Sequence, residues 1–278
     1  MTLKIPRQLR RRFHSWVWAY VPRSYPASSR PVSIVMPLAV KDIEKATRSI
    51  AALRLHLRHP IAEIVVPGQD HDDLRAFCAR AGVRYVNEKD VLPRSVLDFD
   101  YAIGALNMNG WIRQQMLKLL AFGYVEADSI LVFDADTFLV RDLSFFEDDR
   151  QLLFVADEYT QGYHALTEAL LGPLQRHPRS FVAHFMLFQR DLMAAMQAEV
   201  ERRCGLPFVE AALANIDRSR TDGMSEYEIY GNFLHSRHPG RFATRYWYNV
   251  KVDPGNLESL AQLRAKYGRF NSVSAHLH

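Results

Sequence analysis

"SILVFDADTFLVRD", residues 129–142, is a hydrophobic run that stops at two aspartates one residue apart and then resumes. The run has the character of a buried strand, and successive strand side chains point to opposite faces. Asp134 and Asp136 then lie on one side, with α-carbons roughly 6.5 Å apart if the strand stays extended. Carboxylates held that close repel unless something positive sits between them. A hard divalent cation carrying phosphate oxygens meets this need, because such ions take carboxylate ligands and leave positions open for phosphate. The competing reading is structural: the pair ends a strand and caps the next turn.

Upstream of the pair, strand and helix patterns alternate. "PVSIVMPLAV" (31–40) reads as a buried strand, with a helix over residues 42–57 after it. "IAEIVVPG" (61–68) is a second strand, "DHDDLRAFCARAG" (70–82) a helix with Gly82 as its C-cap, and "VRYVNE" (83–88) a third strand. This spacing predicts a parallel sheet with helices on its faces. In "NMNGWIRQQMLKLLAFGYV" (107–125), Ile112, Met116, Leu119 and Leu120 form an apolar stripe, while Gln114 and Lys118 share another face beside Trp111 and Gln115.

Downstream, "QLLFVADEY" (151–159) and "SFVAHFMLFQ" (180–189) read as strands, followed by helices near 190–203 and 225–236. "RFATRYWYNV" (241–250) is a strand, "NLESLAQLRAKYG" (256–268) a helix, and "RFNSVSAHLH" (269–278), with His276 and His278, a mobile tail. The fold class is α/β: a mostly parallel central sheet flanked by helices, with a less regular C-terminal half. Residues 1–30 are expected to be an extension and residues 31–278 a single domain.

Charge is distributed unevenly. Residues 1–30 hold Lys4, Arg7, Arg10, Arg11, Arg12, Arg23 and Arg30 and no acid, leaving 28 basic and 31 acidic residues in the remainder, net −3. The body therefore has no bulk affinity for nucleic acid. In the leader, "RRRFHSWVWAYVPRSYP" (10–26) joins a basic cluster to Trp16, Trp18 and Tyr20, a combination suited to an anionic membrane surface. It is too brief to span a bilayer and lacks the small-residue cleavage site of a signal peptide. Cys78 and Cys204 fit no disulfide scaffold and no zinc spacing, so a reducing, cytoplasmic setting is expected, with a peripheral position at the inner membrane face.

Three enzyme classes could place an aspartate pair beyond the carboxyl end of a parallel strand, where ligands of open α/β sheets bind. In aspartate-based phosphatases the pair is followed, after one further residue, by Thr or Val; here Phe138 holds that position and Thr137 comes one place early. Sugar-phosphate nucleotidyltransferases open on a glycine-rich loop, and "MPLAVKD" (36–42) has no glycine. P-loop and dinucleotide-binding glycine patterns are absent as well.

The third class fits an ordered set of segments. "GWIRQQMLKL" (110–119), "LVFDADTFLVRD" (131–142), "FVAHFMLFQRD" (181–191) and "SEYEIYGNF" (225–233) resemble the GT-A glycosyltransferases of the nucleotide-diphospho-sugar transferase superfamily, and within it a bacterial family of unassigned function. The resemblance covers roughly residues 32–250. It implies a metal-dependent transfer of a sugar from a nucleoside diphosphate donor, UDP favoured, to a hydroxyl of a glycan or lipid-linked acceptor, in bacterial surface glycan synthesis.

By this resemblance Asp134 addresses the ribose or the metal, and Asp136 binds Mn2+ or Mg2+ bridging the diphosphate. Arg113, Gln114 and Lys118 reach toward the nucleotide, Asp157 and Glu158 toward the donor sugar, and His184 borders the sugar pocket. His276 is the third metal ligand, although the Gly and Lys-Pro-Trp residues accompanying such a histidine in one related family are missing. Ser225 and Glu228 have capping-box spacing, which would occupy Glu228 and leave Glu226 as the base, with Glu228 its substitute. The rival readings are an aspartate-based phosphatase and a non-catalytic binding module that keeps the fold.

Overall fold

The structure, a computed structural model, describes residues 6–20, 24–158 and 160–276. Lys4, Arg23 and His278, and the side chains of Arg7, Arg11, Trp18 and Tyr20, lie outside the described residues. A helix α1 (Arg7–Tyr20) precedes β1 (Val32–Val35), α2 (Ile43–His56), β2 (Ile61–Gly68), α3 (Asp72–Ala81) and β3 (Arg84–Asn87). Two single-turn helices, α4 (Glu88–Val91) and α5 (Arg94–Leu97), and a hairpin of β4 (Ala102–Ile103) and β5 (Leu106–Asn107) lead into α6 (Asn109–Leu119) and β6 (Ser129–Phe133). The second half runs β7 (Thr137–Leu139), β8 (Phe146–Glu147), β9 (Arg150–Val155), α7 (Gln161–Leu171), β10 (Phe185–Gln189), α8 (Arg190–Cys204) and α9 (Phe208–Asn215). It closes with α10 (Glu226–Arg237), β11 (Phe242–Tyr246), β12 (Val250–Lys251), α11 (Leu260–Tyr267) and β13 (Ser272–Ser274).

The central sheet has five strands in the order β10-β6-β1-β2-β3. All neighbours are parallel except β10, which runs antiparallel along β6. Strand alternation feeds two cores. Ile34, Val66, Leu131 and Phe133 face one with Ile50 and Leu53 of α2 and Phe77 of α3, while Val35, Val65, Ile130 and Val132 face the other with Met116 of α6 and Tyr230 of α10. Both faces are buried, which is why β1, β2 and β6 read as unbroken apolar runs rather than as alternating ones. α3 ends at Gly82 with φ of 63°, as its C-cap position demands.

The C-terminal half departs from expectation in four places. β9 and β11 lie outside the central sheet, in a separate three-stranded sheet of order β11-β9-β8. α7 and α9 fill stretches that carry no assignment in the sequence reading. The strand expected from residue 180 begins at Phe185, because His184 adopts the left-handed region, φ 61°, and bends the chain. The expected mobile tail is a buried strand instead: β13 pairs with β7 and β12, and Phe270 to Ala275 are all buried.

The helix that presents the two candidate glutamates, α10, is fixed by a close approach. Gly231 faces the fully buried ring of Phe181, and a β-carbon there would collide with it. Helix propensity alone favours Gly→Ala by about 1 kcal/mol, whereas overpacking a core costs about 1–3 kcal/mol. Gly231→Ala is therefore expected to destabilise by up to about 2 kcal/mol in chemical denaturation; a stabilised variant would show that Phe181 yields.

Candidate active site

Beyond the carboxyl ends of β1 and β6, a cleft of about 500 Å³ opens between α6, the first turn of α10 and the end of β13. The aspartate pair sits at its floor, but not on an extended strand. β6 ends at Phe133, and Asp134, Ala135 and Asp136 form a turn in which the Thr137 amide donates to the Asp134 carbonyl at 3.1 Å. The extended spacing expected for the pair is thereby corrected. Two outside strands pin this turn: the Asp134 amide donates to the His184 carbonyl at 2.9 Å, and the Ala275 amide to the Asp136 carbonyl at 2.8 Å. Those backbone bonds deliver the neighbouring histidines to the cleft.

Asp136, His184 and His276 form the metal-compatible group among the described residues, with ligand atoms within 4.8 Å of one another. Ligands opposed across an ion with bonds of about 2.1 Å are about 4.2 Å apart, so slight closure would bring all three within reach of one ion. His184 Nδ1 lies 3.0 Å from Ser274 Oγ, a contact of the kind that orients a ligating imidazole. Burial and the Asp134 charge hold the Asp136 carboxyl above its ordinary range. A cation would relieve that repulsion. His184 thus lies in the metal-compatible group, where the sequence reading placed it at the sugar pocket, and Asp134 stands beside that group.

Asp134 instead belongs to a buried charge network. Lys118 of α6, 4% exposed, donates to Asp134 Oδ1, to Glu226 Oε1 at 2.6 Å and to the Tyr227 hydroxyl at 3.1 Å. The Tyr227 hydroxyl donates in turn to Asp134 Oδ1 at 3.0 Å. One ammonium faces two carboxylates, and they fare differently. Burial would raise Asp134, but Lys118, His184 and Tyr227 outweigh it and hold its carboxyl low. For Glu226, 1% exposed, burial and the Asp134 charge prevail over Lys118, and its carboxyl is held high. Paired carboxyls driven apart in this way are the usual mark of a base beside a permanent charge.

Several expected roles are relocated. Lys118 is neither a solvated helix residue nor free to reach a diphosphate, because both anions claim it. Arg113 turns away from the cleft, donating to Glu88 at 3.2 Å and the Leu97 carbonyl at 2.7 Å, and lines a neighbouring cavity of about 310 Å³. Gln114, with Trp111, lies between the two cavities. Asp157 accepts from the Tyr246 hydroxyl at 3.0 Å behind the wall, and Glu158 takes the wall itself.

Glu228 forms no reciprocal capping box. Ser225 Oγ accepts from its amide at 3.4 Å, but its carboxylate is spent on the Ser180 hydroxyl at 2.5 Å, the Phe181 amide at 3.1 Å and Asn232 at 2.7 Å. Four cleft residues, Lys41, Gln115, Tyr163 and Tyr227, have no role in the sequence reading. For Lys41 the signal is its position just after β1, at the ligand-binding end of the sheet.

Removing Lys118 leaves the buried Glu226 and the part-buried Asp134 without a counter-charge, so Lys118→Met is expected to cost about 3–5 kcal/mol near neutral pH. A lowered carboxyl contributes stability that is lost as pH falls through its folded value, and a raised one costs stability as pH rises past its ordinary value, 4.5 for Glu226. With both carboxyls raised in the variant, the deficit should shrink as pH falls toward about 5. Urea unfolding across pH checks this, and a pH-independent loss would contradict it.

No curated protein matches the chain in sequence. Among solved structures it is similar to mouse xyloside xylosyltransferase 1 in its apo form, at 10% identity and TM-score 0.48, covering 88% of this chain and 98% of that one. It is likewise similar to the galactosyltransferase LgtC with donor and acceptor sugar analogues, at 13% identity and TM-score 0.48, covering 88% and 87%. An active-site mutant of LgtC gives 14% identity and TM-score 0.47, covering 89% and 88%. A family model matches residues 29–264, and the chain belongs to that family, described as a family of unknown function (DUF6492).

Proposed function

We propose that the chain is a metal-dependent glycosyltransferase that moves a sugar from a nucleoside diphosphate donor, UDP favoured, to a hydroxyl of a glycan or lipid-linked acceptor. Residues 31–278 are assigned as the catalytic unit, working in the cytoplasm on bacterial surface glycans. The observation that carries this reading is the adjacency, in one cleft, of a two-imidazole, one-carboxylate group and a buried carboxyl held high. Two imidazoles beside one carboxylate suit a first-row transition ion better than Mg2+, and we assign Mn2+. Bound there, the ion supplies Lewis-acid neutralisation of the charge on the departing nucleoside diphosphate.

The chain's own residues do the rest. Glu226 accepts the proton of the acceptor hydroxyl as that oxygen bonds to the anomeric carbon and the bond to the diphosphate breaks. Its raised proton affinity suits a base poised nearer to neutral pH than an exposed glutamate. Asp134, kept ionised, and Lys118, kept charged, hold the Glu226 oxygen in place. Trp111 and Tyr163, near-parallel with ring centroids 6.4 Å apart, offer apolar faces to a sugar, and Glu158 offers a carboxylate to its hydroxyls.

Glu226→Gln should lower turnover of UDP-sugar with Mn2+ by about 10²–10⁴-fold while leaving UDP-Mn2+ affinity within about twofold of wild type. His184→Ala should do the reverse, weakening Mn2+ binding in calorimetry. Undiminished turnover by Glu226→Gln would remove the base assignment. Trapping of a covalent aspartyl-phosphate at Asp134 would replace the transferase reading with the phosphatase one, and nucleotide binding without any turnover would leave a binding module.

A further inference from the structure

We infer that α1 is a docking helix for an anionic membrane surface. A helix laid on a globular body ordinarily turns its apolar stripe inward. α1 does the opposite. Leu9, Phe13 and Trp16, at helical spacings of four and three, share one face and are 55%, 60% and 58% exposed. The opposite face holds the body: the His14 ring stacks on Tyr246 with centroids 4.2 Å apart, and His14 Nε2 meets the Arg179 guanidinium at 2.7 Å.

The same Arg179 guanidinium lies 4.8 Å from the Tyr246 ring centroid, and the Tyr246 hydroxyl donates to Asp157. The helix is therefore mounted, apolar stripe outward, on Tyr246 and Arg179, which in turn meet Asp157 beside the cleft-lining Glu158. No helix among the described residues is long and apolar enough to cross a membrane.

Charge decides what covers it. Arg10 and Arg12 are exposed on either margin of the stripe, and residues 1–30 carry seven basic residues and no acid while the remainder is net negative. A basic helix with aromatic and leucine side chains along one face matches a bilayer with anionic headgroups, into which the apolar face sinks while the arginines meet phosphate. A second copy of the chain offers no comparable negative complement at its own basic helix. This surface goes beyond the chemistry of the cleft and stands or falls separately from it.

The test is co-sedimentation of the full chain with phosphatidylcholine vesicles, with and without phosphatidylglycerol, at low and high salt. The account expects binding to the anionic vesicles, weakened by salt, and little to the neutral ones. Arg10→Gln with Arg12→Gln should weaken partition on the order of thirtyfold, at roughly fivefold per arginine. Phe13→Ser with Trp16→Ser should abolish sedimentation while leaving the melting temperature unchanged, and Leu9→Ser alone should weaken it. No binding, equal binding to both lipids, binding indifferent to these substitutions, or a dimer in light scattering that the serine variant disperses would each overturn the proposal. Turnover of UDP-sugar in solution, measured on the same variants, reads the cleft independently.

Discussion

The site depends on one buried ammonium. Lys118 is closed off from water and touches Asp134, Glu226 and the Tyr227 hydroxyl at once. Without it, two acids from distant parts of the chain would share a desolvated space, at a cost of several kcal/mol. With it, α6, the turn after β6 and the start of α10 are locked together, and the remaining negative charge is divided unequally between the acids. By that inequality one carboxyl stays ionised while the other keeps a high proton affinity.

The metal-compatible group is assembled by a different means, backbone pairing rather than charge. The turn at Asp134 to Asp136 is held on one side by the entrance to β10 and on the other by the exit of β13. Each of those strands carries a histidine at the pinned end, His184 in a left-handed conformation and His276 just past the last strand. A left-handed histidine is an uncommon and strained choice, of the kind that concentrates at functional sites. Glu228 supports the same construction from behind, since its carboxylate fixes Ser180 and Phe181 on the segment leading into His184.

Much of the fold is legible in the sequence, and the reasons for the rest are specific. β1, β2, β3 and β6 announce themselves as apolar runs separated by helices with clear stripes, because a parallel sheet buried on both faces leaves that imprint. α7 carries Leu166, Leu170 and Leu171 at helical spacing, yet Gly162 weakens its first turn and the Thr160 side chain at the N-cap makes no capping hydrogen bond. The tail is harder. Ser272, Val273 and Ser274 look like linker, and only pairing with β7, more than a hundred residues earlier, makes them a strand.

The site was legible in residue type rather than in partnership. Lys118, Asp134, Asp136, Glu226, His184 and His276 all stand out as polar residues in apolar or terminal positions, and all line the cleft. Their pairing does not show locally: alternation along an extended strand puts Asp134 with Asp136, whereas the turn gives Asp134 to Lys118 and Asp136 to the histidines. Thermal unfolding with UDP plus Mn2+, beside each component alone and GDP plus Mn2+, tests the central claim most directly. Saturation at 100 times the Kd adds roughly 2.7 kcal/mol, a rise of about 5 °C for a chain of this size. The account predicts a rise that needs nucleotide and metal together and disappears in Asp136→Ala; no rise with any nucleoside diphosphate, or one that survives that substitution, would contradict it.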